Sequence, residues 1–264
     1  MAGFPARRLL FYDLSCSKVR STLFSLFSFE LLVSYMKQEQ QILQSWHSNA
    51  AAWTTAIAKE SIESRKLVTN QAIIAAIKAC QPTSLLDLGC GEGWLCREAA
   101  RSVASLKRIT GLDAIPALVA AAAAHNIGEY NIKSYRDIIE GKYVPLAPFD
   151  VAVFNFSLFE DELVQQLLKK VRSLITTQGK LIIQTLHPPA ACGDIPYKDG
   201  WREGNWNGFS HDFTDPAPWY FRTLESWVAL LNNAGYVITT MREPIHPLTG
   251  KPASVIFTAQ PTVA

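Results

Sequence analysis

One short run constrains this chain more than any other: Leu85-Leu86-Asp87-Leu88-Gly89-Cys90-Gly91-Glu92-Gly93. The apolar stretch at 84–88 reads as a buried strand, and three alternating glycines end it. A helical pattern follows at once in Trp94, Leu95, Ala99, Ala100 and Val103. Glycine reaches backbone angles that other residues avoid, and it puts no side chain in the way of an approaching group. The free amides of a helix start then face whatever sits there. Strand, glycine turn and helix in this order demand an α/β domain with a ligand at the strand's end.

The spacing narrows the ligand. A dinucleotide fingerprint, G-x-G-x-x-G, would place its third glycine where this chain has Trp94. The phosphate-cradling G-x-x-x-x-G-K-[ST] loop is absent from the sequence. What stands is acidic-x-G-x-G-x-G, led by Asp87. This resembles motif I of the class I S-adenosylmethionine (SAM)-dependent methyltransferases. The resemblance implies SAM as cofactor, with Asp87, Gly89, Gly91 and Gly93 around it. A carboxylate at Asp87 suits a ligand that carries an ammonium and a sulfonium and no phosphate.

A chain of 264 residues can bury one sizeable core, and 48% hydrophobic with 18% charged residues fit a globular protein. The net charge is +2, and the basic excess falls within residues 1–35. A neutral main body argues against a nucleic-acid partner, which would want clustered Lys and Arg. Cys16, Cys80, Cys90, Cys96 and Cys192 form no C-x-x-C pair. They read as reduced thiols of a cytoplasmic protein without zinc. Residues 1–35 are rich in Leu, Phe and Ser, and their apolar run is interrupted by Glu30. That run is short of the roughly 20 apolar residues a membrane span takes, so no membrane partner is expected. We read 1–35 as an extension outside the functional domain, Met36 as a natural start, and 36–264 as a methyltransferase domain.

From Gln38 the pattern is helical, and Trp46 and Trp53 share one face if that helix is unbroken. Ser48-Asn49 could instead cap a new helix. A second helical stretch covers 57–80. Strands are read at 84–88, 108–113, 130–135, 149–156 and 179–186, with intervening helices from Trp94, from Pro116 and at 160–174. Such alternation argues a doubly wound parallel sheet. A helix at 223–234 precedes two strands, 236–241 and 254–259, which should pair as an antiparallel hairpin. The fold class is α/β, Rossmann-like. It is similar to the methyltransferase sheet: seven strands, mostly parallel, the last antiparallel, with helices on both faces.

Asp113, at the tip of the second strand, can accept hydrogen bonds from both ribose hydroxyls, and the family uses this position so. The resemblance assigns Asp137 to the adenine amine and Ile138 to its ring. It assigns Arg65 to the methionine carboxylate, which a guanidinium meets in two parallel bonds. Asn155, ending the fourth strand, falls at the cofactor beside the transferred methyl. The absence of Asn-Pro-Pro-Tyr there argues against a DNA base as substrate. Residues 187–219 form a long insertion whose aromatic content argues against disorder, so it reads as a substrate lid. Trp53, Phe156, Trp201, Trp206 and Tyr220 are the candidate substrate contacts. His187, stiffened by Pro188 and Pro189, is the candidate base; His211 is the second candidate and Glu203 the third.

These features together read as SAM-dependent methyl transfer to a small organic acceptor, without a metal. Two other readings stay open: a non-catalytic SAM-binding or regulatory protein, and a nicotinamide oxidoreductase. The glycine spacing and the antiparallel ending disfavour the second. The sequence names neither the acceptor nor an oligomeric state.

Overall fold

The computed structural model of the chain describes residues 17–262, with side chains from Lys37 onward. Residues 1–16 and every side chain of the expected 1–35 extension lie outside that description. The chain divides into two units, Met1–Gln40 and Gln41–Ala264. Helix α1 (Ser17–Ala58) is continuous, so Ser48-Asn49 starts no new helix. Asn49 is instead fully buried within it.

The stretch expected as one helix at 57–80 is broken. Glu60 takes a left-handed φ of 48° just past α1. A π-helical turn, Arg65–Thr69, then leads into α2 (Asn70–Ala79). Wide turns of this kind concentrate at functional sites. Next come β1 (Ser84–Leu88), α3 (Trp94–Ser102), β2 (Arg108–Asp113) and α4 (Pro116–Ala123). They are followed by β3 (Glu129–Ile132), α5 (Tyr135–Ile139), β4 (Phe149–Asn155) and α6 (Glu162–Val171). Strand β3 is shorter than the sequence suggests because Ser134 ends it by capping α5. The chain continues through β5 (Ile175–Leu186) and α7 (Pro188–Cys192). A small hairpin of β6 (Gly200–Arg202) and β7 (Trp219–Phe221) stands within the insertion. Helix α8 (Leu224–Asn233), β8 (Tyr236–Arg242) and β9 (Ser254–Pro261) complete the order.

The sheet runs β3-β2-β1-β4-β5-β9-β8. Strands β1 to β5 pair in parallel, and β9 lies antiparallel between β5 and β8. Six strands therefore point one way and β9 the other. Alternate side chains go to opposite faces of a strand. Leu86 and Leu88 join the core under α5, α6 and α8, while Leu85 joins the core under α2 and α3. Asp87 shares a face with Leu85, and so looks toward the side of the sheet that carries α2 and α3.

Among the described residues the buried apolar set begins at Ile42. On the composition shift at 1–35 and the natural start at Met36, a chain started at Met36 should keep its melting temperature and its cofactor affinity. A large loss of either would make 1–35 part of the working fold.

Candidate active site

All three glycines after β1 have left-handed φ: 74° at Gly89, 56° at Gly91 and 81° at Gly93. The turn is wired to the end of β2. Gly89 and Cys90 donate their amides to the Leu112 carbonyl, at 2.8 and 3.0 Å. The Gly91 amide donates to Asp113 Oδ2 at 2.8 Å, and the Ile115 amide to Asp113 Oδ1 at 2.9 Å. The glycines differ in what they make room for. A Cβ at Gly89 would lie 2.5 Å from Ser157 Cβ, and one at Gly93 would lie 2.8 Å from Ala122 Cβ. At Gly91 the nearest atom is Trp53 Nε1 at 3.5 Å, an ordinary contact, so a methyl there would meet the indole without overpacking. Gly89→Ala should thus cost about 2–4 kcal/mol of stability, combining left-handed strain with overpacking. Gly91→Ala should cost about 1–2 kcal/mol, from the φ alone. Urea unfolding of the two variants checks the contrast.

The electrostatics of this turn suit a cation. Asp87 is buried, and its Oδ1 has no hydrogen-bond partner. The Cys96 thiol donates to Oδ2 at 3.5 Å. Burial pushes the Asp87 carboxyl up to about 7, with Asp113 and Glu92 adding repulsion against the Cys96 bond and the pull of Arg65. Burial also raises the Asp113 carboxyl, although backbone amides at Ile115 and Gly91 oppose this. Glu92 is tied to Arg97 at 2.9 Å. The Arg65 guanidinium lies 5.5 Å from the ring centre of Trp53 and 5.0 Å from that of Trp94. Burial lowers its pKa, against the attraction of Glu92 and Asp87.

These residues fit the cofactor that the resemblance implies. The orphaned oxygen of Asp87 and its acidic neighbours can face an ammonium and a sulfonium. A carboxylate offers about four lone-pair positions. Two backbone amides occupy part of Asp113, which leaves acceptors for ribose hydroxyls. Asn155 ends β4 with its Oδ1 buried and unpartnered.

Two expected contacts have other work. Asp137 closes a capping box on α5: its Oδ2 accepts from the Ser134 amide at 3.0 Å and the Ser134 hydroxyl at 2.8 Å. Lys142 holds its other oxygen at 3.1 Å. Ile138 is fully buried in the core and offers no face to a ring. In the structure this pair serves helix capping and core packing.

Beside the turn lies a cavity of about 500 Å³. Of the expected residues, Trp53, Arg65, Phe156, His187 and Trp206 line it. Phe156 holds a left-handed φ of 53°, an outlier for a bulky residue and a mark of a constrained site. Trp201 and Tyr220 do not line the cavity; they stack edge to face across the β6–β7 hairpin at 5.6 Å. Trp219, one residue along β7, supplies the wall instead, because neighbours on a strand face opposite ways. His211 and Glu203 are exposed and off the cavity wall.

Several working residues were not among the expected site contacts. Trp46 packs against Trp53, Trp206 and Phe159, with ring centres 5.3, 6.0 and 6.1 Å away. Asn49 donates to the Thr214 carbonyl at 2.7 Å and accepts from the Thr214 amide at 2.8 Å. The Trp206 indole donates to the same carbonyl at 2.7 Å. The insertion is thereby pinned to α1. Glu243, just past β8, holds His187 Nε2 at 2.6 Å.

Residues 85–179 match the family model described as a methyltransferase domain. The chain is 26% identical over 171 residues to an uncharacterised methyltransferase of Schizosaccharomyces pombe, covering 62% of this chain and 63% of that protein. It is 28% identical over 190 residues to an uncharacterised methyltransferase of Mycobacterium bovis, covering 66% and 94%. Its fold is similar to that of the plantazolicin methyltransferase BamL, with a TM-score of 0.61 at 12% identity over 88% of this chain and 99% of that one. That protein was solved with a triazolic desmethylPZN analog and SAH. Residues 85–179 thus match a methyltransferase domain, and the strand order and glycine turn around them are similar to those of the class I SAM-dependent methyltransferases.

Proposed function

We propose that the domain moves the methyl of SAM onto a small organic acceptor seated in the cavity under residues 187–219. One observation carries the reading: the two sites share a wall. Trp53 and Arg65 line the cavity, and Trp53 Nε1 also lies 3.5 Å from where a Cβ on Gly91 would be. An acceptor in the cavity would meet the cofactor at that wall. The small-molecule analogue bound to BamL supports an acceptor of this size class.

SAM supplies an electrophilic methyl when bound. Arg65 would take its carboxylate, Asp87 its cationic end and Asp113 its ribose, with Asn155 nearby at the strand ends. The chain's task is orientation and exclusion of water, and holding two reactants in line is worth about 7–11 kcal/mol of barrier. His187 would take the acceptor's proton as the new bond forms. Trp53, Phe156 and Trp206 would hold the acceptor's body. Free thiols at all four described cysteines support a cytoplasmic setting. Among the described residues no helix is long and apolar enough to cross a membrane, and no cluster of His, Cys, Asp and Glu could hold a metal.

The test is incubation of the purified full chain with SAM and fractionated small-molecule extract. S-adenosylhomocysteine should appear together with a product one methylene heavier than its precursor. A chain that binds SAM yet releases no S-adenosylhomocysteine with any fraction would be a SAM-binding protein. One that binds NADH and ignores SAM would overturn the assignment.

A further inference from the structure

Resting on that methyl-transfer reading, we infer that Glu243 and His187 work as a pair. Glu243 keeps the imidazole proton on Nε2, and Nδ1 takes the proton of a flat, neutral, hydroxyl-bearing aromatic acceptor. The topology makes the pair. Strands β5 and β8 run in the same direction on either side of β9, so the residues just past both emerge at one end of the sheet. His187 follows β5 and Glu243 follows β8. Adjacent strands lie about 4.8 Å apart. Two long side chains can therefore meet across β9, and Ala253, just before it, is too small to interfere.

His187 Nε2 and Glu243 Oε1 are 2.6 Å apart. An ionised carboxylate only accepts, so the hydrogen in this bond belongs to the imidazole. That assigns the lone pair to Nδ1. The His187 side chain is 5% exposed, it lines the cavity, and Nδ1 has no partner. A buried acceptor left unpaired is costly, and a donor brought in by an occupant would relieve it.

The walls define the occupant. Trp46, Trp53, Phe156, Phe159, Trp206 and Trp219 line the cavity, and no carboxylate does. Arg65 is the one lysine or arginine among the lining residues. Glu243 stands at His187 Nε2, and Arg65 belongs to the same cavity lining. An alkylammonium would find no carboxylate on the cavity wall to receive it. A neutral flat ring would find aromatic faces, and its hydroxyl would find Nδ1.

The step balances. The acceptor's oxygen lone pair forms the new O–CH3 bond as the S–CH3 bond of the sulfonium breaks, and that bond's electron pair stays on sulfur. The hydroxyl proton passes to Nδ1, and the resulting imidazolium stands against the Glu243 carboxylate until it releases a proton to water. Glu243 acts through His187 and is a positioning residue.

Long-range proton–nitrogen NMR of the full chain at about pH 8, where an ordinary imidazole is neutral, reads the tautomer directly. Its His187 signals are assigned with His187→Gln. The wild-type ring should carry its proton on Nε2. Glu243→Ala should give a mixture of tautomers, while Glu243→Gln, whose side-chain oxygen still accepts, should restore mostly Nε2–H. Added 2-naphthol should quench the tryptophan fluorescence and shift the wild-type Nδ1 signal as it gains a hydrogen bond. A wild-type ring protonated on Nδ1, or an Nδ1 signal that stays still while 2-naphthol quenches, would overturn the pairing. Absence of quenching would overturn the acceptor class. SAM calorimetry on the same samples should be unchanged in Glu243→Ala. If the wild type itself fails to bind SAM, the methyl-transfer reading fails instead, and the two failures are told apart.

Discussion

Asp87→Asn should make the ligand-free protein more stable at about pH 8 while making it bind SAM 10- to 100-fold more weakly. The carboxyl has its ordinary pKa near 3.8 in the unfolded chain and is pushed up to about 7 in the fold, chiefly by burial. Between those values the folded state holds a proton that the unfolded state has lost. Stability is therefore full below about pH 4 and falls as pH rises toward 7, where it levels off. At about 1.4 kcal/mol per pKa unit the loss is on the order of 4 kcal/mol. An asparagine cannot ionise and escapes it, although an unpaired amide at the orphaned Oδ1 position returns about 1–3 kcal/mol of that gain. Melting curves at about pH 5 and pH 8 should show wild type falling behind the variant as pH rises. Equal pH slopes would mean that Asp87 is not a strained, desolvated charge. The same charge that weakens the empty fold is the one a bound cation would neutralise, so calorimetry should move in the opposite direction to melting.

Asp113→Ala should weaken SAM by about 2–4 kcal/mol, or roughly 30- to 1000-fold, through the loss of charged acceptors for two ribose hydroxyls. The variant also removes the acceptors of the Gly91 and Ile115 amides. About 1–3 kcal/mol of stability should go with each donor left buried. The two effects separate by ligand. Adenosine should lose affinity in the variant, and 2′-deoxyadenosine should lose less because it has one ribose hydroxyl fewer to offer. If both nucleosides weaken equally, Asp113 shapes the turn and does not hold the sugar.

What could be read from the sequence was local or repetitive. The turn at 89–93 was legible because strand, glycines and helix are consecutive, and the sheet was legible because the units alternate. Trp46 and Trp53 announced a shared face through their spacing, and the rings meet. The losses have physical reasons. Asp137 sits in Ser-x-x-Asp as well as in an Asp-Ile pair, and its capping of α5 was the part not read. Which aromatics of 187–219 face inward depends on the pairing of β6 with β7, so Trp219 took the place expected for Tyr220 and Trp201. Asn49 looked like a cap because asparagine is rare inside a helix, yet its partner lies 165 residues away. Glu243 meets His187 across an intervening strand, and no local pattern announces such a contact.

Helix α1 carries Asn49, which clasps Thr214 of the insertion, and one turn further on Trp53, which overhangs Gly91. Both ligands would thus press on the same stretch of helix, one through the indole above the glycines and the other through the strap over the cavity. Any tightening of that stretch by the first arrival lowers the ordering cost for the second. The benefit is mutual by thermodynamic necessity: the factor by which SAM improves acceptor binding equals the factor by which acceptor improves SAM binding. In the proposed function, SAM and acceptor should therefore bind cooperatively, and calorimetry of each with and without the other checks it.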